Sequence, residues 1–545
     1  MLKVISLSFF ILVSLLSTAQ KNCPIIPQPL AATASNNQFK LDRYTMIKFS
    51  DARLTGMANY LKAEIKKNAS IELDAQPSKN SSLVSLVLTG NKLQNSASPE
   101  AYSIDMSKGA IVVASSSEAG LFNGVASLLQ LVRLAENKAG IVMLDCWQIK
   151  DAPGYGWRGL MLDESRHFFG LEKLKSLIDW MAFYKLNRFH WHLTDEPGWR
   201  MEVKKYPKLT SIGGIGNYSD STAPARYYTQ AQIKELVAYA AERHIMVIPE
   251  IDMPGHATAA NKAYPAFSGG GSKAHPDFTF NPGKEETYGF LTDILKETAS
   301  LFPASMIHLG GDEVNFGNQQ WPLIPGVQTL MAEKKMKDLR EVELYFMQRM
   351  ADTLYKMNNK LLAWDEMADV ELPRDKTIIM WWRHDKPEQF IKAMEKGYTT
   401  IACPRIPFYF DFVQDSSHNQ GRKWKKAFAP LEAVYGFDLS SFQLTEEKKK
   451  LVAGIQANIW TETMQNEKRL DYMLFPRMAG LAEAAWRTNS STKDYGLFKQ
   501  RLQGHLGLYA NAGLYYFDPS ASTSKMEPLG PKKYVYLKGS IFKSK

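Results

Sequence analysis

The chain has 545 residues, of which 45% are hydrophobic and 22% charged, and these ordinary values exclude disordered and collagen-like proteins. The formal net charge is +10, and residues 525–545 carry half of that excess with six lysines against one glutamate. A basic end of this kind is typical of a solvated tail, so we predict no nucleic-acid partner.

The first residues have the pattern of an export signal. Lys3 is followed by an apolar run at 4–17 and by the small residues Ser17-Thr18-Ala19. The run is shorter than the about 20 residues that span a bilayer, and no later stretch is comparably apolar. We therefore predict a signal peptide at 1–19 and a mature chain without a transmembrane segment, which is exported to the periplasm or secreted.

Residues 20–150 have the pattern of a small α+β domain. The apolar stretches 83–89 and 111–115 predict strands, and the spacing of apolar residues at 118–135 predicts a helix. Asp151-Ala152-Pro153-Gly154 has the composition of a turn between domains. This part of the chain carries no evident chemical motif.

A repeated unit of a short apolar run, a polar end and an amphipathic helix fills most of residues 151–515. Such runs predict strands that are buried in a parallel sheet, and helical spacing follows several of them, as at 171–185, 229–243 and 284–302. The repeats predict an α/β fold, a (β/α)₈ TIM barrel, followed by a basic tail at 516–545. The eight runs are 157–163, 188–195, 244–252, 306–313, 360–366, 377–383, 399–404 and 451–460.

The carboxyl ends of these runs carry acidic and aromatic residues. Active sites of such barrels lie at the carboxyl ends of the strands, so these residues predict one acidic pocket with aromatic walls. Asp163 and one of Asp365 and Glu366 are interpreted as caps of the next helix. The residues at the run ends are Asp163, Asp195, Glu250, Asp252, Asp312, Glu313, Asp365, Glu366 and Trp460.

The segment His308-Leu309-Gly310-Gly311-Asp312-Glu313 is the most informative motif. Neighbouring side chains of a regular strand point to opposite faces, so Asp312 and Glu313 share a pocket only if Gly310-Gly311 breaks the pleat. Adjacent residues are poorly placed to stand about 5 Å or more apart across an anomeric carbon, as most glycosidases require. A substrate whose own 2-acetamido oxygen attacks that carbon removes this difficulty. The pair therefore favours substrate-assisted hydrolysis of an N-acetylhexosaminide.

Seven motifs occur in order along the chain: WRGLMLDESRH (157–167), HWHLTDEPGWR (190–200), PEIDMPGH (249–256), HLGGDE (308–313), WDE (364–366), YFD (409–411) and ANIWTE (457–462). In combination they resemble the β-N-acetylhexosaminidases of glycoside hydrolase family 20, over about residues 24–515. The resemblance implies an exo-acting retaining enzyme that releases terminal non-reducing β-linked N-acetylglucosamine or N-acetylgalactosamine through an oxazolinium intermediate. It implies no cofactor, and as partner an oligosaccharide or glycoconjugate substrate.

The resemblance also implies a role for each matching residue. Glu313 matches the general acid/base, and Asp312 matches the residue that orients and polarises the acetamido group. Arg158 matches the arginine that binds the sugar's 3- and 4-hydroxyls. Asp195 and His256 match a polar network behind the catalytic pair. The other matches are Trp364, Trp382 and Trp460 for the aromatic walls, Tyr409 for the donor to the acetamido oxygen, and Asp411 and Glu462 for acceptors of sugar hydroxyls.

Two positions do not follow directly from the family pattern. The doublet Trp381-Trp382 fits the middle wall with either residue. Glu196-Pro197 stands where family members commonly have a second acidic residue and a glutamine. Because proline restricts its own backbone and that of Glu196, the shape of this loop and its leaving-group contacts stay open.

Two other functions fit parts of the sequence. His190-x-His192 on one strand, with His256 at the end of the next, has the spacing of zinc ligands in a metal-dependent hydrolase. No further histidine-rich strand end completes that set, and the three cysteines are scattered along the chain. A non-catalytic sugar-binding protein would keep the tryptophans and lose the acid, whereas Glu313 is present. We therefore predict a glycoside hydrolase without a metal.

Overall fold

The computed structural model describes residues 21–73, 76, 81–90, 98–423, 427–488, 490–521 and 525–530. An N-terminal sheet domain lies against a closed barrel. The predicted signal peptide at 1–19 and residues 531–545 of the predicted tail lie outside the described residues. Among the residues that are described, no helix is both long and apolar enough to cross a membrane.

The N-terminal domain is a mixed sheet with helices packed against it. Its elements are β1 (Ala31–Leu41), β2 (Met46–Phe49), α1 (Thr55–Ala69), β3 (Leu83–Leu88), β4 (Tyr102–Met106), β5 (Ala110–Ser115), α2 (Glu118–Leu134), β6 (Asn137–Lys138) and β7 (Ile141–Asp151). The strands lie in the order β1-β7-β4-β5-β3-β2, and β6 pairs with β7. Burial alternates along β3, β4 and β5, because one face packs on the helices. The predicted strands and helix of this region agree with β3, β5 and α2 to within one residue at each end.

Parallel strands close the barrel of the second domain. They are β8 (Trp157–Asp163), β9 (Arg188–His192), β12 (Met246–Met253), β13 (Met306–Gly310), β14 (Lys360–Trp364), β15 (Thr377–Trp381), β16 (Thr399–Ala402) and β17 (Val452–Ile459). They pair in this order, and β17 closes the ring on β8. A small hairpin of β10 (Thr194–Asp195) and β11 (Gly198–Trp199) follows β9. Each of the eight predicted runs overlaps a barrel strand, and only β12 extends beyond its run, by one residue, so the predicted TIM barrel is confirmed.

Helices surround the barrel, and side-chain caps begin several of them. Thr229 and Gln232 form a reciprocal capping box at α5, and Asp338 and Asn466 cap α9 and α14. The predicted helices at 171–185, 229–243 and 284–302 correspond to α3, α5 and α7. The helices are α3 (Leu171–Phe183), α4 (Lys208–Ser211), α5 (Gln230–Ala241), α6 (Thr258–Ala263), α7 (Glu285–Leu301), α8 (Pro325–Lys334), α9 (Leu339–Lys356), α10 (Pro387–Glu395), α11 (Arg405–Phe408), α12 (Leu431–Gly436), α13 (Glu446–Leu451), α14 (Glu467–Leu474), α15 (Arg477–Trp486) and α16 (Tyr495–Asn511).

Buried charged groups join the two domains at the amino end of the barrel. Lys185, just before β9, donates to the Tyr102 hydroxyl at 2.9 Å and lies 3.5 Å from the Asp151 carboxylate. Arg158, the second residue of β8, pairs with Glu100 of the N-terminal domain. These pairs satisfy polar groups that the contact buries. These charged contacts between the domains therefore lie at the end of the barrel that is opposite the predicted pocket.

Candidate active site

The Asp312-Glu313 pair directly follows β13 at the carboxyl end of the barrel. Gly310 and Gly311 have φ angles of +68° and +88°, and Glu313 is left-handed at +52°. A Cβ atom at Gly310 would lie 1.8 Å from a neighbouring carboxylate oxygen, so only glycine fits there. The chain thus leaves the regular pleat, and both acids approach one ring. Asp312 Oδ2 and Glu313 Oε2 are 3.6 and 3.8 Å from His256 Nε2.

A polar network stands behind this pair. His256 Nδ1 lies 3.1 Å from Asp195 Oδ1, at the start of the small hairpin. The other oxygen of Asp195 lies 2.6 Å from Arg166 Nη1 and 2.9 Å from His192 Nε2. The structure therefore brings Asp195 and His256 together, as the resemblance implies, and adds Arg166 and His192, which the sequence analysis did not assign to this network.

Burial and neighbouring charges shift the ionisation of these groups. Burial raises the pKa of Asp312 to about 8, although the adjacent His256 opposes the shift. Burial also raises the pKa of Glu313, whose side chain is 27% exposed at the mouth of the pocket. Burial works against the charge of Asp195 as well, but Arg166 and His256 outweigh it and hold the pKa of Asp195 well below its usual range. The ring of His256 therefore lies between Asp195, whose pKa is lowered, and Asp312 and Glu313, whose pKa values are raised.

Aromatic side chains form a wall beside the pair. The ring centres of Trp364 and Trp460 are 6.1 Å apart, and Tyr409 lies 6.1 Å from Trp460. Trp382 stacks with Tyr409 at 6.2 Å with an angle of 10° between the rings. Trp381 instead packs against α10 on the outside of the barrel. The tryptophan of the doublet that faces the pocket is therefore Trp382.

A second acidic pair lies in the pocket near Trp460. Arg422 joins Asp411 and Glu462, with its Nε 3.1 Å from Asp411 Oδ2 and its Nη2 2.5 Å from Glu462 Oε1. Burial raises the pKa of Asp411 to about 7 against the effect of Arg422. For Glu462, Arg422 and Arg166 outweigh burial and lower the pKa. Arg422 was not predicted from the sequence, because an arginine in an irregular loop belongs to no periodic pattern.

Arg158 does not lie in the pocket. It is 1% exposed, and its guanidinium bonds Glu100 and two backbone carbonyl groups at 2.7 and 2.8 Å. At about 3.3 Å per residue, its position on β8 is about 17 Å from the carboxyl end of that strand. The predicted contact between Arg158 and sugar hydroxyls is therefore wrong. The arginine of the same motif that lies in the pocket is Arg166, whose guanidinium stands 5.0 Å over the Trp460 ring.

Three other acids at the strand ends, Asp163, Asp365 and Glu366, bond neighbouring protein groups. Asp163 Oδ1 accepts the backbone N–H groups of residues 165 and 166, so it caps a turn rather than a helix. Asp365 accepts a bond from Arg383 Nε at 2.8 Å, and Glu366 accepts one from Trp382 Nε1 at 3.0 Å. The interpretation that one of Asp365 and Glu366 caps the next helix is therefore wrong, because these side chains orient Arg383 and Trp382 instead.

Glu196 and Pro197 form the tip of the hairpin between β10 and β11. The Glu196 carboxylate lies 3.0 Å from His275 Nδ1, in a different loop of the barrel mouth. His275 stacks on Phe316 at 5.7 Å, and Phe316 follows soon after the Asp312-Glu313 pair. Glu196, in the loop that departs from the family pattern, thus contacts the rim of the pocket.

Clusters of histidine and carboxylate groups among the described residues have the spacing of metal ligands. In one of them, inside the barrel, His190 Nε2 and His308 Nδ1 lie 3.0 and 2.8 Å from the Glu250 carboxylate. Direct contacts between these side chains explain the short distances without an ion. The other clusters belong to the network around Asp195 and His256.

Comparisons with known proteins place this chain in a family. The models for the catalytic domain and for domain 2 of glycosyl hydrolase family 20 match residues 155–489 and 22–152. A β-hexosaminidase of Porphyromonas gingivalis is 34% identical over 520 residues, which cover 92% of this chain and 65% of that protein. A β-hexosaminidase of Vibrio furnissii is 33% identical and covers 84% and 76% of the two chains. The crystal structure of a Vibrio harveyi exo-β-N-acetylglucosaminidase with N-acetylglucosamine has a TM-score of 0.83 at 30% identity, over 92% and 79% of the chains. The chain belongs to glycosyl hydrolase family 20.

Proposed function

We propose that the chain is an exo-acting, retaining β-N-acetylhexosaminidase for terminal non-reducing β-linked N-acetylglucosamine or N-acetylgalactosamine. The observation that carries this proposal is the broken strand end, which directs Asp312 and Glu313 toward the same His256 beside an aromatic wall. The β-hexosaminidase names of the relatives and the N-acetylglucosamine in the Vibrio harveyi structure support it.

In the first step, the acetamido oxygen of the substrate attacks the anomeric carbon. Glu313 donates its proton to the departing glycosidic oxygen as the C–O bond breaks, and its raised pKa favours the protonated form that this step needs. Asp312 accepts the acetamido N–H and balances the positive charge of the oxazolinium ring. The pKa of Asp312 is about 8 in the free site, so the form that reacts is the one whose proton has already left to solvent. The positive charge that develops beside Asp312 lowers this pKa and stabilises the carboxylate.

In the second step, water opens the oxazolinium ring. Glu313, now a carboxylate, takes a proton from the water whose oxygen bonds to the anomeric carbon, and the acetamido group is restored. The two displacements at the same carbon produce net retention of the β configuration. His256 and Asp195 hold the acids in place, and Arg166 keeps Asp195 ionised.

Sugar recognition uses the remainder of the pocket. Arg166 and Glu462 supply charged partners for ring hydroxyls, and Asp411 supplies a further carboxyl group. The tryptophans enclose the apolar faces of the sugar. Burial raises the pKa of Tyr409 well above its usual range, so its hydroxyl keeps the proton that it donates to the acetamido oxygen. A pocket lined in this way accepts the terminal residue of a glycan.

The test is hydrolysis of a chromogenic β-N-acetylglucosaminide and of the matching galactosaminide by purified protein. We expect hydrolysis of both without added metal, and β-N-acetylhexosamine as the first product in proton NMR. Release of the α-anomer first, or loss of activity in a chelator, would contradict the mechanism. A β-glucoside serves as the control substrate, because it lacks the attacking group.

We also propose that the mature protein is exported after cleavage behind Ala19. The apolar run at 4–17 and the small residues at 17–19 support this proposal. Mass spectrometry of the protein from the periplasm or the medium of its host should give an N-terminus at Gln20. Intact Met1 on protein found only in the cytoplasm would contradict the proposal.

A further inference from the structure

Glu250 of β12 places a fully buried carboxylate inside the barrel. Its Oε2 lies 3.0 Å from His190 Nε2 and 2.5 Å from His192 Nδ1. Its Oε1 accepts a bond from Trp364 Nε1 at 3.1 Å and lies 2.8 Å from His308 Nδ1, which itself accepts the Gly310 N–H at 3.0 Å. Ring nitrogens thus lie close to both oxygens, and His192 and Trp364 donate hydrogen bonds to them.

Two of these histidines have different proton states. The Gln456 amide donates to His190 Nδ1 at 3.1 Å, so the proton of His190 is on Nε2. This Nε2 lies 3.0 Å from Glu250 Oε2 but is not aligned for a hydrogen bond, and burial lowers the pKa of the ring to about 4. His192 lies between two carboxylates, with Glu250 at Nδ1 and Asp195 2.9 Å from Nε2. Both nitrogens of His192 must donate, so this ring is an imidazolium.

Contacts connect Glu250 to two parts of the active site, the catalytic acids and the aromatic wall. On one side, His192 bonds Asp195, and Asp195 bonds the His256 ring that faces the catalytic acids. On the other side, Glu250 Oε1 holds the indole of Trp364, which belongs to the aromatic wall. Glu250 itself has no exposed surface and lies behind both groups.

We propose that Glu250 is a positioning residue with two roles. Through His192 it positions the residues behind the catalytic acids, which we call the acid half. Through Trp364 it positions the wall against which the acetamido group packs, which we call the acetamido half. The inference rests on the proposed function. The charge of Glu250 keeps His192 protonated, and protonated His192 fixes Asp195 for His256. The same carboxylate fixes the rotation of the Trp364 ring, against which the acetamido group of the substrate packs.

Glu250→Gln tests the proposal, because it keeps the size of the side chain. Whichever way the amide is turned, its NH₂ faces an N–H donor, His190 on one side or Trp364 on the other. We expect kcat/KM to fall by about 10²-fold for both an activated aryl β-N-acetylglucosaminide and the natural type of disaccharide. Binding of a thiazoline mimic of the oxazolinium ring should weaken by at least about tenfold.

Glu483→Gln is the matched control. Glu483 is also a buried carboxylate, 1% exposed, and bonds Arg501 and a backbone N–H outside the barrel mouth. We expect this variant to stay within about twofold of wild-type kcat/KM at a comparable loss of thermal stability. Equal losses of activity in the two variants would overturn the proposal, because they would mark a general effect of disturbing the buried core.

The protonation state of His192 distinguishes the proposed role of Glu250 from a merely structural one. The groups that face this ring are Glu250, Asp195, Arg166 at 3.5 Å and the Trp460 ring. Nitrogen NMR at neutral pH should show two N–H groups for His192 in the wild type and one in Glu250→Gln. The His192→Gln variant assigns the signals. An unchanged imidazolium in Glu250→Gln would overturn the acid half.

Trp364→Phe removes the N–H bond to Glu250 and narrows this part of the wall from two fused rings to one, so it tests the acetamido half even if Glu250→Gln does not fold. We expect about tenfold weaker binding of the thiazoline mimic. Unchanged binding would overturn this half. An inactive wild-type protein would contradict the proposed function, whereas an active wild type with an equally active Glu250→Gln would contradict only this inference.

Discussion

β8 and the turn after it carry two buried arginines whose surroundings differ. Arg158 lies at the amino end of the strand, where Glu100 and backbone carbonyls occupy its guanidinium. Arg166 lies beyond the carboxyl end, where it bonds Asp195 and covers the Trp460 ring at the edge of the pocket. The same residue type thus joins two domains at one end of the barrel and serves the pocket at the other.

The carboxyl end of the barrel also contains buried polar atoms that lack hydrogen-bond partners in the described part of the chain. At the carboxyl end, Asp312 Oδ1, His256 Nε2 and Glu462 Oε2 are buried without a hydrogen-bond partner among the described residues. A buried polar atom without a partner has a cost of about 1–3 kcal/mol, and a bound substrate can remove that cost. The amino end therefore contributes to stability, whereas the carboxyl end keeps polar groups ready for a ligand.

The largest effect is expected for Glu313→Gln at the carboxyl end. The variant cannot donate a proton, so turnover with natural leaving groups should fall by about 10²–10⁴-fold. An activated aryl leaving group needs little protonation, and its hydrolysis should be affected less. Steady-state kinetics on both substrates measure the contrast. Equal losses for the two substrates would mean that Glu313 is not the acid.

The pH profile sharpens the same test. Burial raises the pKa of Glu313, and the acid function requires the protonated form, which is present below that pKa and is lost as the pH rises through it. Wild-type kcat/KM with a natural disaccharide should therefore fall on the alkaline side. In Glu313→Gln this alkaline limb should be absent. If the alkaline limb persists in the variant, it arises from the ionisation of another group.

Asp312→Asn should have the next largest effect. It removes the charge that balances the oxazolinium ion, so turnover of a β-N-acetylglucosaminide should fall by about 10²–10³-fold. A β-glucoside lacks the acetamido group, so it should be a poor substrate of the wild type and lose little more in the variant. If the mutation slows both substrates by the same factor, the role assigned to Asp312 is wrong.

A matched pair of lysine substitutions tests the comparison between the two ends directly. Arg166→Lys loses the planar fork at Asp195, so kcat/KM should fall by about 10–10²-fold with little change in Tm. Arg158→Lys should leave kcat/KM unchanged and lower the stability by about 1–3 kcal/mol, because it disturbs the domain contact. Thermal unfolding and kinetics on both variants are the measurements. A loss of activity in Arg158→Lys together with a loss of stability alone in Arg166→Lys would contradict the roles assigned to the two ends.

The smallest effect is expected at the tryptophan doublet. Trp382→Phe loses the bond to Glu366 and part of the wall, so KM should rise by up to about tenfold. Trp381→Phe lies outside the pocket and should change Tm rather than KM. A larger change of KM in Trp381→Phe would contradict the placement of Trp382 in the pocket.

Periodic and contiguous features were predictable from the sequence. The apolar runs predict the eight barrel strands because a strand that is buried on both faces needs consecutive apolar side chains. Gly310-Gly311 before two acids predicts a break in the pleat because only glycine readily adopts the positive φ that is found there. The barrel and the Asp312-Glu313 pair could therefore be located without coordinates.

Only the tertiary structure decided which distant groups meet. One motif contains both Arg158 and Arg166, and their roles separate because a strand of seven residues carries them to opposite ends of the barrel. Arg422 reaches Asp411 and Glu462 from a loop without a periodic pattern. Glu250 gathers rings from two other barrel strands and the end of a third, and such a cluster depends on the strand register. Local patterns report the burial of single segments, whereas these contacts arise only when the barrel closes.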